Sequence, residues 1–236
     1  MGAAEWLLER EQRTPLVVLP NDRINSRSFF SPRSSRDEIP EILLMATSKE
    51  IEIKFRVDDL RVLNRRLRKS GFRLVTPRTH EMNTLYDLPS QPLRQRGELL
   101  RLRKYGSEWV LTHKAKGKLG RHKTRVENET QVAAGTKMEA ILHALGFAPT
   151  FRYEKFRAEW SDGKGHVVVD ETPIGNFGEI EGPSRWIDRT AAALQIERSN
   201  YITQTYADLF FQWKKQTRSP AKEMTFKTVG RRAQHR

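Results

Sequence analysis

The sequence predicts an α+β fold in which eight antiparallel strands close into a β-barrel flanked by helices. Two observations support this prediction. Strand-like segments of alternating charged and apolar residues recur along the chain, beginning at residues 50–55. The order of one strand, one helix and three strands also occurs twice, about 75 residues apart, since aligning Gly71 with Gly146 also aligns Glu52 with Glu127. Eight strands with few helices favour a closed barrel, because closure leaves no unpaired edge.

The first half of this β-α-β-β-β repeat begins with the strand at residues 50–55, where charged residues alternate with isoleucine and phenylalanine. A helix follows it, because Asp58 or Asp59 can cap the start and Gly71 can end it. Leucines at positions 60, 63 and 67 form its apolar face. Three strand-like runs complete the half, at residues 81–87, 98–104 and 108–115.

The second half begins with a strand at residues 125–129 and repeats this order. Thr136 and Glu139 have the spacing of a capping box, which predicts the start of the second helix, and Gly146 ends that helix. Strands are predicted at residues 154–160, 166–172 and 176–182. A last helix is predicted over residues 198–213, where it would flank or plug the barrel.

The predicted domain, residues 49–213, lies between two segments of different composition. Residues 1–48 contain a Ser-, Arg- and Asn-rich stretch without helix or strand periodicity, which predicts a disordered leader. One hypothesis makes Met45 the true start of the protein. Residues 214–236 carry eight basic residues and one acidic residue, which predicts a flexible basic tail. The tail is interpreted either as a solvated segment or as a tether for nucleic acid.

Composition excludes several classes of function. The chain has no cysteine, which excludes a disulfide framework, a zinc–thiolate site and a thiol nucleophile. No apolar run approaches the roughly 20 residues of a membrane-spanning helix, and no secretory signal is recognisable. We therefore expect a cytoplasmic protein that has no membrane partner.

Most of the predicted strands have one charged face, because residues i and i+2 of a strand point to the same side. Each such face taken alone is typical of the solvent side of a sandwich. A barrel with helices outside would instead turn these charges inward. Paired Arg and Lys suit phosphate oxygens, and paired carboxylates suit Mg²⁺ or Mn²⁺. An inward arrangement would therefore fit a complex of a metal ion with a polyphosphate.

An ordered set of motifs runs through about residues 49–210. It begins with Glu50-x-Glu52-x-Lys54 and continues with a Leu-Arg-Leu-Arg segment at 100–103 and Lys114. Further motifs are Arg-x-Glu-x-Glu at 125–129, Glu-Lys-x-Arg at 154–157, Asp-Glu at 170–171 and Phe-Gly-Glu-x-Glu at 177–181. This set resembles the CYTH, or triphosphate tunnel, superfamily, to which class IV adenylate cyclases and thiamine triphosphatases belong.

The resemblance implies an eight-stranded tunnel, a divalent metal (Mg²⁺ or Mn²⁺) and a triphosphate-containing small molecule as the ligand. The metal-binding residues that it implies are Glu50, Glu52, Asp170, Glu179 and Glu181. The triphosphate-binding residues that it implies are Lys54, Arg101, Arg103, Lys114, Arg125, Lys155 and Arg157. Glu127 and Glu129 would line the tunnel, and the residues expected to take part in catalysis are Glu50, Glu52, Lys54 and Asp170.

Three functions fit this resemblance. The first is hydrolysis of tripolyphosphate, thiamine triphosphate or a nucleoside triphosphate, and the second is class IV adenylate cyclase activity. The third is non-catalytic binding of polyphosphate or nucleic acid. We favour hydrolysis because no residue pattern indicates a pocket for adenine. Unlike several members of the superfamily, the chain has no lysine at residues 199–206, although a basic loop (Lys116, Lys118, Arg121 and Lys123) could compensate. A homodimer remains an open alternative.

Overall fold

A computed structural model of the chain describes residues 47–118 and 120–230. The strands are β1 (Thr47–Arg56), β2 (Arg73–Asp87), β3 (Leu99–Tyr105), β4 (Glu108–Lys114), β5 (Lys123–Val132), β6 (Ala148–Ser161), β7 (His166–Thr172) and β8 (Gly175–Glu181). The helices are α1 (Leu60–Lys69), α2 (Pro92–Arg96), α3 (Gly135–Ala144), α4 (Ser184–Ala193), α5 (Tyr206–Thr217) and α6 (Phe226–Val229). Met45 and the predicted leader, apart from its last two residues, lie outside the described residues.

The eight strands form one closed barrel in the order β1-β5-β4-β3-β2-β6-β7-β8. All of the neighbouring pairs are antiparallel, and β1 closes the barrel by pairing with both β5 and β8. This confirms the predicted fold class. No helix in the described part of the chain is both long and apolar enough to cross a bilayer.

The two halves of the repeat end their first helices in the same way. Gly71 and Gly146 have φ angles of 84° and 86°, in the left-handed region that glycine tolerates best. The backbone N–H of Phe72 donates to the carbonyl of Leu67 at 3.0 Å, and that of Phe147 donates to Leu142 at 2.9 Å. The matching Gly-Phe pairs therefore mark equivalent helix ends, as the sequence predicted.

The apolar sides of the strands face outward, toward helices. α1 and α4 cover the barrel wall around β1, β7 and β8, where Leu67, Val167, Ile180 and Ile187 are buried together. α3 covers another part of the wall through Leu142. Because adjacent residues of a strand point to opposite sides, this packing turns the charged faces into the barrel interior.

Both helix starts that the sequence predicted in the second half need correction. α3 begins at Gly135 after Ala134, which makes no side-chain cap, so the Thr136–Glu139 capping box does not form. The Glu139 carboxylate instead accepts a hydrogen bond from the Tyr86 hydroxyl at 2.8 Å.

The last predicted helix, over residues 198–213, forms only from Tyr206 onward. A short 3-10 turn occupies Arg198–Asn200, and the backbone N–H of Ile202 then donates to the carbonyl of Lys54 on β1 at 2.7 Å. Thr205 caps α5 in a true capping box with Asp208. The chain is therefore held extended against the barrel before the helix can start, and α5 then packs across one end of the barrel.

Residues 214–230 are part of the folded body, whereas the sequence indicated a flexible tail from Lys214. α5 continues to Thr217, and Ala221 and Met224 are buried against the barrel. Met224 exchanges backbone hydrogen bonds of 3.0 Å with Arg152 and Glu154 of β6. Apolar burial and strand-like pairing outweigh the high charge of this segment. Residues 231–236 lie outside the described range.

Candidate active site

The barrel encloses a cavity of about 400 Å³, within the size range of about 300–1,000 Å³ that is typical of ligand sites. Charged side chains from six strands line it, and Thr205–Ala207, at the start of α5, also contribute to the lining. The basic residues of this lining are Lys54, Arg101, Arg103, Lys114, Lys123, Arg125, Lys155 and Arg157. The acidic residues are Glu50, Glu52, Glu127, Glu129, Glu159, Glu179 and Glu181.

Glu50 of β1 holds basic residues of β4 and β5, and Glu52 of β1 holds a basic residue of β5. The Glu50 carboxylate accepts hydrogen bonds from Lys114 Nζ at 2.8 Å and from Arg125 Nε at 3.0 Å. Lys123 Nζ donates to Glu52 at 3.0 Å. Strand pairing produces this arrangement, because Glu50 lies opposite Arg125 and Glu52 lies opposite Lys123.

Asp170 of β7 is the centre of a second charged cluster. It is fully buried and accepts a hydrogen bond from Lys155 Nζ at 2.9 Å. It also accepts hydrogen bonds from Arg157 Nη2 at 2.6 Å and from Arg157 Nε at 2.7 Å. Arg157 also reaches Glu179 at 2.6 Å, and Glu179 in turn pairs with Lys54 at 2.7 Å. Asp170 and Glu179 therefore hold three basic side chains in place in this conformation.

The third group lies on β3, β4 and β5. Arg103 pairs with Glu129 at 3.1 Å, and Lys114 pairs with Glu127 at 2.8 Å. Arg101 donates to the Thr112 hydroxyl at 3.2 Å and lies 3.6 Å from Glu129. The structure thus brings every predicted triphosphate-binding residue into one cavity.

Mutual pairing keeps Lys54 and Glu179 ionised despite their burial. Burial lowers the pKa of Lys54, but the Glu179 and Glu52 carboxylates outweigh that effect, so its pKa is raised. Burial favours the neutral form of Glu179, but Lys54 and Arg157 hold its pKa well below the usual range. The cavity therefore contains fixed charges of both signs near neutral pH.

Two cavity acids, Glu159 and Glu181, have no basic side chain within ion-pair distance among the described residues, and Glu159 accepts a hydrogen bond from the Tyr105 hydroxyl instead. Glu181 has the more acidic surroundings. It lies opposite Glu52 in the pairing of β1 with β8 and keeps contact with solvent. Partial burial, together with repulsion from Glu50 and Glu52, raises the pKa of Glu181 to about 7. This excess of negative charge suits a divalent cation with oxygen ligands.

The acids are not arranged as a ready-made metal centre. Among the described residues, no three His, Asp or Glu side chains form a group that could hold a metal ion as they stand. Glu50, Glu52 and Glu181, on the adjacent strands β1 and β8, nevertheless supply the carboxylate oxygens that a divalent cation prefers. Glu50 and Glu52 would have to give up a basic partner to bind the cation, and Glu181 would not. The donor chemistry of these three acids fits a divalent metal ion.

Sequence reasoning missed Lys123, Glu159 and Tyr206 of the cavity lining, and also Glu81, which is not part of the lining. Glu81 is fully buried, and Lys155, Arg157 and Arg103 outweigh its burial and lower its pKa well below the usual range. Lys123 was assigned to a basic loop, yet it is the first residue of β5 and is buried at Glu52. Strand alternation extended by two residues from Arg125 could have found Lys123, whereas Glu81 lies on β2, across from Lys155 of β6. Lys116 and Lys118 remain exposed.

Tyr206, another missed residue, is the first residue of α5 and lines the cavity. Its hydroxyl donates to Asp170 at 2.6 Å, and its ring centre lies 4.6 Å from Lys54 Nζ and 4.7 Å from Lys155 Nζ. The helix thus reaches the charged cluster through a tyrosine, in a stretch where the sequence shows no lysine. No sequence pattern indicated this role.

The Tyr206→Phe substitution should lower the free energy of unfolding by about 1.5–3 kcal/mol, the range for a hydrogen bond to a charged group. Asp170 would lose one of its donors, while the ring could keep its packing. Urea unfolding measures this change. Tyr105→Phe is the matched control, because Tyr105 donates to Glu159 at a longer 3.3 Å, and it should cost less. Equal stabilities for wild type and Tyr206→Phe would contradict the prediction.

A pH dependence follows from Glu181. Its pKa is raised to about 7, so the folded state favours the protonated carboxyl. The resulting contribution of Glu181 to the free energy of unfolding is fully present below the usual pKa range of glutamate. The contribution is lost as the pH rises through 7. In metal-free buffer, Glu181→Gln should therefore be more stable than wild type at pH 8, and the difference should vanish at pH 4. Urea midpoints at both values test this, and a difference that is the same at both pH values would contradict it.

A closed antiparallel barrel whose interior is lined by paired acids and bases is the fold and the site of one class of protein. Comparison with known proteins identifies that class. Residues 48–208 match the CYTH domain family, so the chain belongs to the CYTH family. A Methanocaldococcus jannaschii protein, provisionally named an adenylate cyclase, is 28% identical over 171 residues, which are 68% of this chain and 97% of that protein.

Solved structures show the same fold. A Vibrio parahaemolyticus structure, also provisionally named an adenylate cyclase, superposes with a TM-score of 0.60 at 17% identity and covers 69% of this chain and 97% of its own. A Hippeastrum structure has a TM-score of 0.53 at 21% identity and covers 69% of this chain and 95% of its own. It is named as a provisional adenylyl cyclase, and its description states a dominant triphosphatase activity.

Proposed function

We propose that this protein is a divalent-metal-dependent hydrolase of a triphosphate bound in the barrel. One observation carries the proposal: the eight basic residues of the cavity lining each lie within 4.0 Å of a carboxylate. Buried ion pairs contribute little net stability and often cost more than apolar packing would. A complete lumen of such pairs therefore points to a charged ligand that exchanges with them.

A triphosphate bound with a metal ion supplies the two charges that this exchange needs. Phosphate oxygens can replace carboxylates at Lys54, Arg101, Arg103 and Lys155, with the guanidinium groups offering two donors each. The acids released from their basic partners would then face the cation. Because Lys54 and Glu179 are already ionised, exchange of partners at that pair requires no proton transfer.

We assign the metal to Glu50, Glu52 and Glu181, because these acids lie together on β1 and β8. Asp170 and Glu179 were also expected to bind metal, but we assign them to positioning Lys155, Arg157 and Lys54, the residues that they contact. When bound, a divalent ion neutralises phosphate charge and lowers the pKa of coordinated water. The basic residues would hold the terminal phosphorus in line with the attacking oxygen.

The cavity favours hydrolysis over cyclisation. Cyclisation requires a site that orients adenine, and aromatic faces are the usual means of stacking a base. The two tyrosines of the lining are already in contact with other groups: Tyr206 with Lys54 and Lys155, and Tyr153 with Phe151 and Tyr206. The triphosphatase activity described for the Hippeastrum neighbour supports the same choice.

Adenylate cyclase activity is the second candidate, because the Methanocaldococcus relative bears that name in provisional form. In that case the ribose 3′-hydroxyl of ATP would attack the α-phosphorus, and pyrophosphate would leave. Both reactions use the same basic residues, and they differ in which phosphorus faces the nucleophile.

The deciding experiment incubates the full chain and Mg²⁺ or Mn²⁺ with tripolyphosphate, thiamine triphosphate or ATP, and resolves phosphate, pyrophosphate and cyclic AMP. We expect orthophosphate release that stops on addition of a chelator. Lys155→Ala should abolish it, and Lys137→Ala, an exposed lysine of α3, should not affect it. Cyclic AMP with equal pyrophosphate would establish the cyclase. Binding without turnover of any of these substrates would identify the protein as a non-catalytic polyphosphate binder.

A further inference from the structure

A strongly basic surface lies outside the barrel, on α1 and α4. We call it the α1/α4 basic face. All of its side chains are exposed, and among the described residues none has a carboxylate within ion-pair distance. Its members are Arg61, Arg65, Arg68, Lys69, Arg185 and Arg189.

Packing fixes this face rigidly. α1 buries Leu63 and Leu67 on the barrel wall, and α4 buries Ile187 and Ala191 beside them. Both helices contribute to one apolar cluster on the wall, and they meet at two points. Arg66 of α1 donates to the carbonyl of Leu194 at the C-terminal end of α4 at 2.9 Å. At the other end the rings of Phe72 and Trp186 lie 6.0 Å apart.

The barrel cavity does not use these charges. None of the six residues is part of its lining, because both helices pack on the outside of the wall. A triphosphate in the cavity would therefore leave the face unchanged. Any ligand of the α1/α4 basic face must therefore differ from the ligand of the cavity.

The arrangement of charge on α1 is unfavourable without a partner. Its ten residues include five basic ones and no acidic one. Arg61, Arg65 and Lys69 follow each other at intervals of four, where like charges repel and a stabilising helix would alternate acids with bases. Asp59, at the start of the helix, is engaged by the backbone amides of residues 61 and 62. A polyanion would convert this repulsion into attraction.

The chemistry of the face favours a phosphate backbone. Residues four apart on a helix are separated by about 6 Å along its axis, which is of the same order as the spacing of successive phosphates. Five of the six side chains are arginines, whose planar fork binds two phosphate oxygens at once. The apolar side of α1 is buried on the barrel, so the helix cannot insert into a lipid interface as amphipathic membrane helices do.

Recognition of bases is not part of this surface. The aromatic residues beneath it, Phe72, Trp160 and Trp186, are 3–6% exposed, so they cannot stack on nucleotides. We propose that the α1/α4 basic face binds the phosphate backbone of duplex nucleic acid, independently of base sequence and of the barrel cavity.

The test measures binding of the full chain to a fluorescent 20-base-pair duplex by anisotropy over a series of salt concentrations. The logarithm of the association constant should fall with that of salt concentration with a slope of about −3 to −5, since each phosphate contact contributes about −0.9. Combined reversal of Arg61→Glu, Arg65→Glu and Arg189→Glu should weaken binding at least tenfold and reduce the slope by about three.

Matched controls locate the site. Reversal of three exposed lysines elsewhere, Lys137→Glu, Lys215→Glu and Lys222→Glu, should change affinity less than twofold. Saturating tripolyphosphate should not displace the duplex. The face variant should keep its circular dichroism and its phosphatase turnover. If it does not fold, glutamine at the same three positions removes the charges with less repulsion.

Several results would overturn the proposal: unchanged affinity after charge removal on the face, a larger loss in the lysine control, or displacement by tripolyphosphate. Tighter binding of poly-glutamate or of anionic vesicles than of the duplex would also overturn it, because the partner would then be an acidic protein or a membrane. The outcome does not depend on the proposed hydrolase activity, which is assayed separately.

Discussion

Replacement of Arg157 by alanine is expected to lower the free energy of unfolding by about 3–5 kcal/mol, the range for breaking a buried ion pair. Arg157 contacts Asp170 and Glu179 at 2.6 Å and lies 3.8 Å from Glu81. Asp170 and Glu81 are fully buried. Removal of the guanidinium leaves three carboxylates to share Lys155 and Lys54, with Arg103 4.0 Å from Glu81. Urea unfolding of the full chain, without added metal or phosphate, measures the loss.

A second arginine of the same strand provides the control. Arg152 of β6 is half-exposed and lies 3.7 Å from Glu223, so Arg152→Ala should change stability by less than about 1 kcal/mol. Arg157→Lys should fall between the two, since an ammonium keeps the charge and loses the fork. Similar stabilities for Arg157→Ala and Arg152→Ala would show that Arg157 does not hold the acid cluster together.

Replacement of Glu52 by alanine is expected to lower metal-dependent turnover by about 10²–10³-fold. That factor corresponds to losing several kcal/mol of transition-state stabilisation at a metal ligand. Glu52 faces Glu181 across β1 and β8, and its one close basic partner in the described structure is Lys123, at 3.0 Å. The measurement is orthophosphate release at saturating tripolyphosphate over a range of Mg²⁺ and Mn²⁺ concentrations.

Two further variants separate metal binding from structure. Glu52→Gln can still accept a hydrogen bond from Lys123 but carries no charge, so it should lose as much turnover and less stability than Glu52→Ala. Glu108→Ala removes an exposed glutamate of β4 and should leave turnover unchanged. Wild-type turnover in Glu52→Gln, with unchanged metal dependence, would remove Glu52 from the metal site.

Much of the fold was predictable because its signals are local. Alternation at residues 50–55 follows from the period of a strand, and the Gly-Phe pairs at 71–72 and 146–147 follow from the left-handed backbone that ends a helix. Prediction failed where a distant residue competed with the local partner that the sequence pattern suggested. Thr136 and Glu139 had the spacing of a cap, but Tyr86, 53 residues away, takes the Glu139 carboxylate.

The C-terminal region shows the same limit. The charges of residues 214–230 indicated a flexible tail, yet Met224 is fully buried and bridges to β6. The energy of that contact depends on an apolar surface formed by Tyr153, Phe210 and Phe177. No window of sequence around Met224 contains that surface.

The sequence by itself determined the succession of the eight strands along the chain, the two equivalent halves and which charged residues of a strand share a face, because these depend on local periods and on a repeat visible in the sequence. Only the tertiary structure decided which acid meets which base. Glu50 meets Lys114 from 64 positions away, and Asp170 meets Tyr206 from 36 positions away. Such pairs depend on barrel closure and strand register, which bring distant residues into one region of low dielectric where their charges interact strongly.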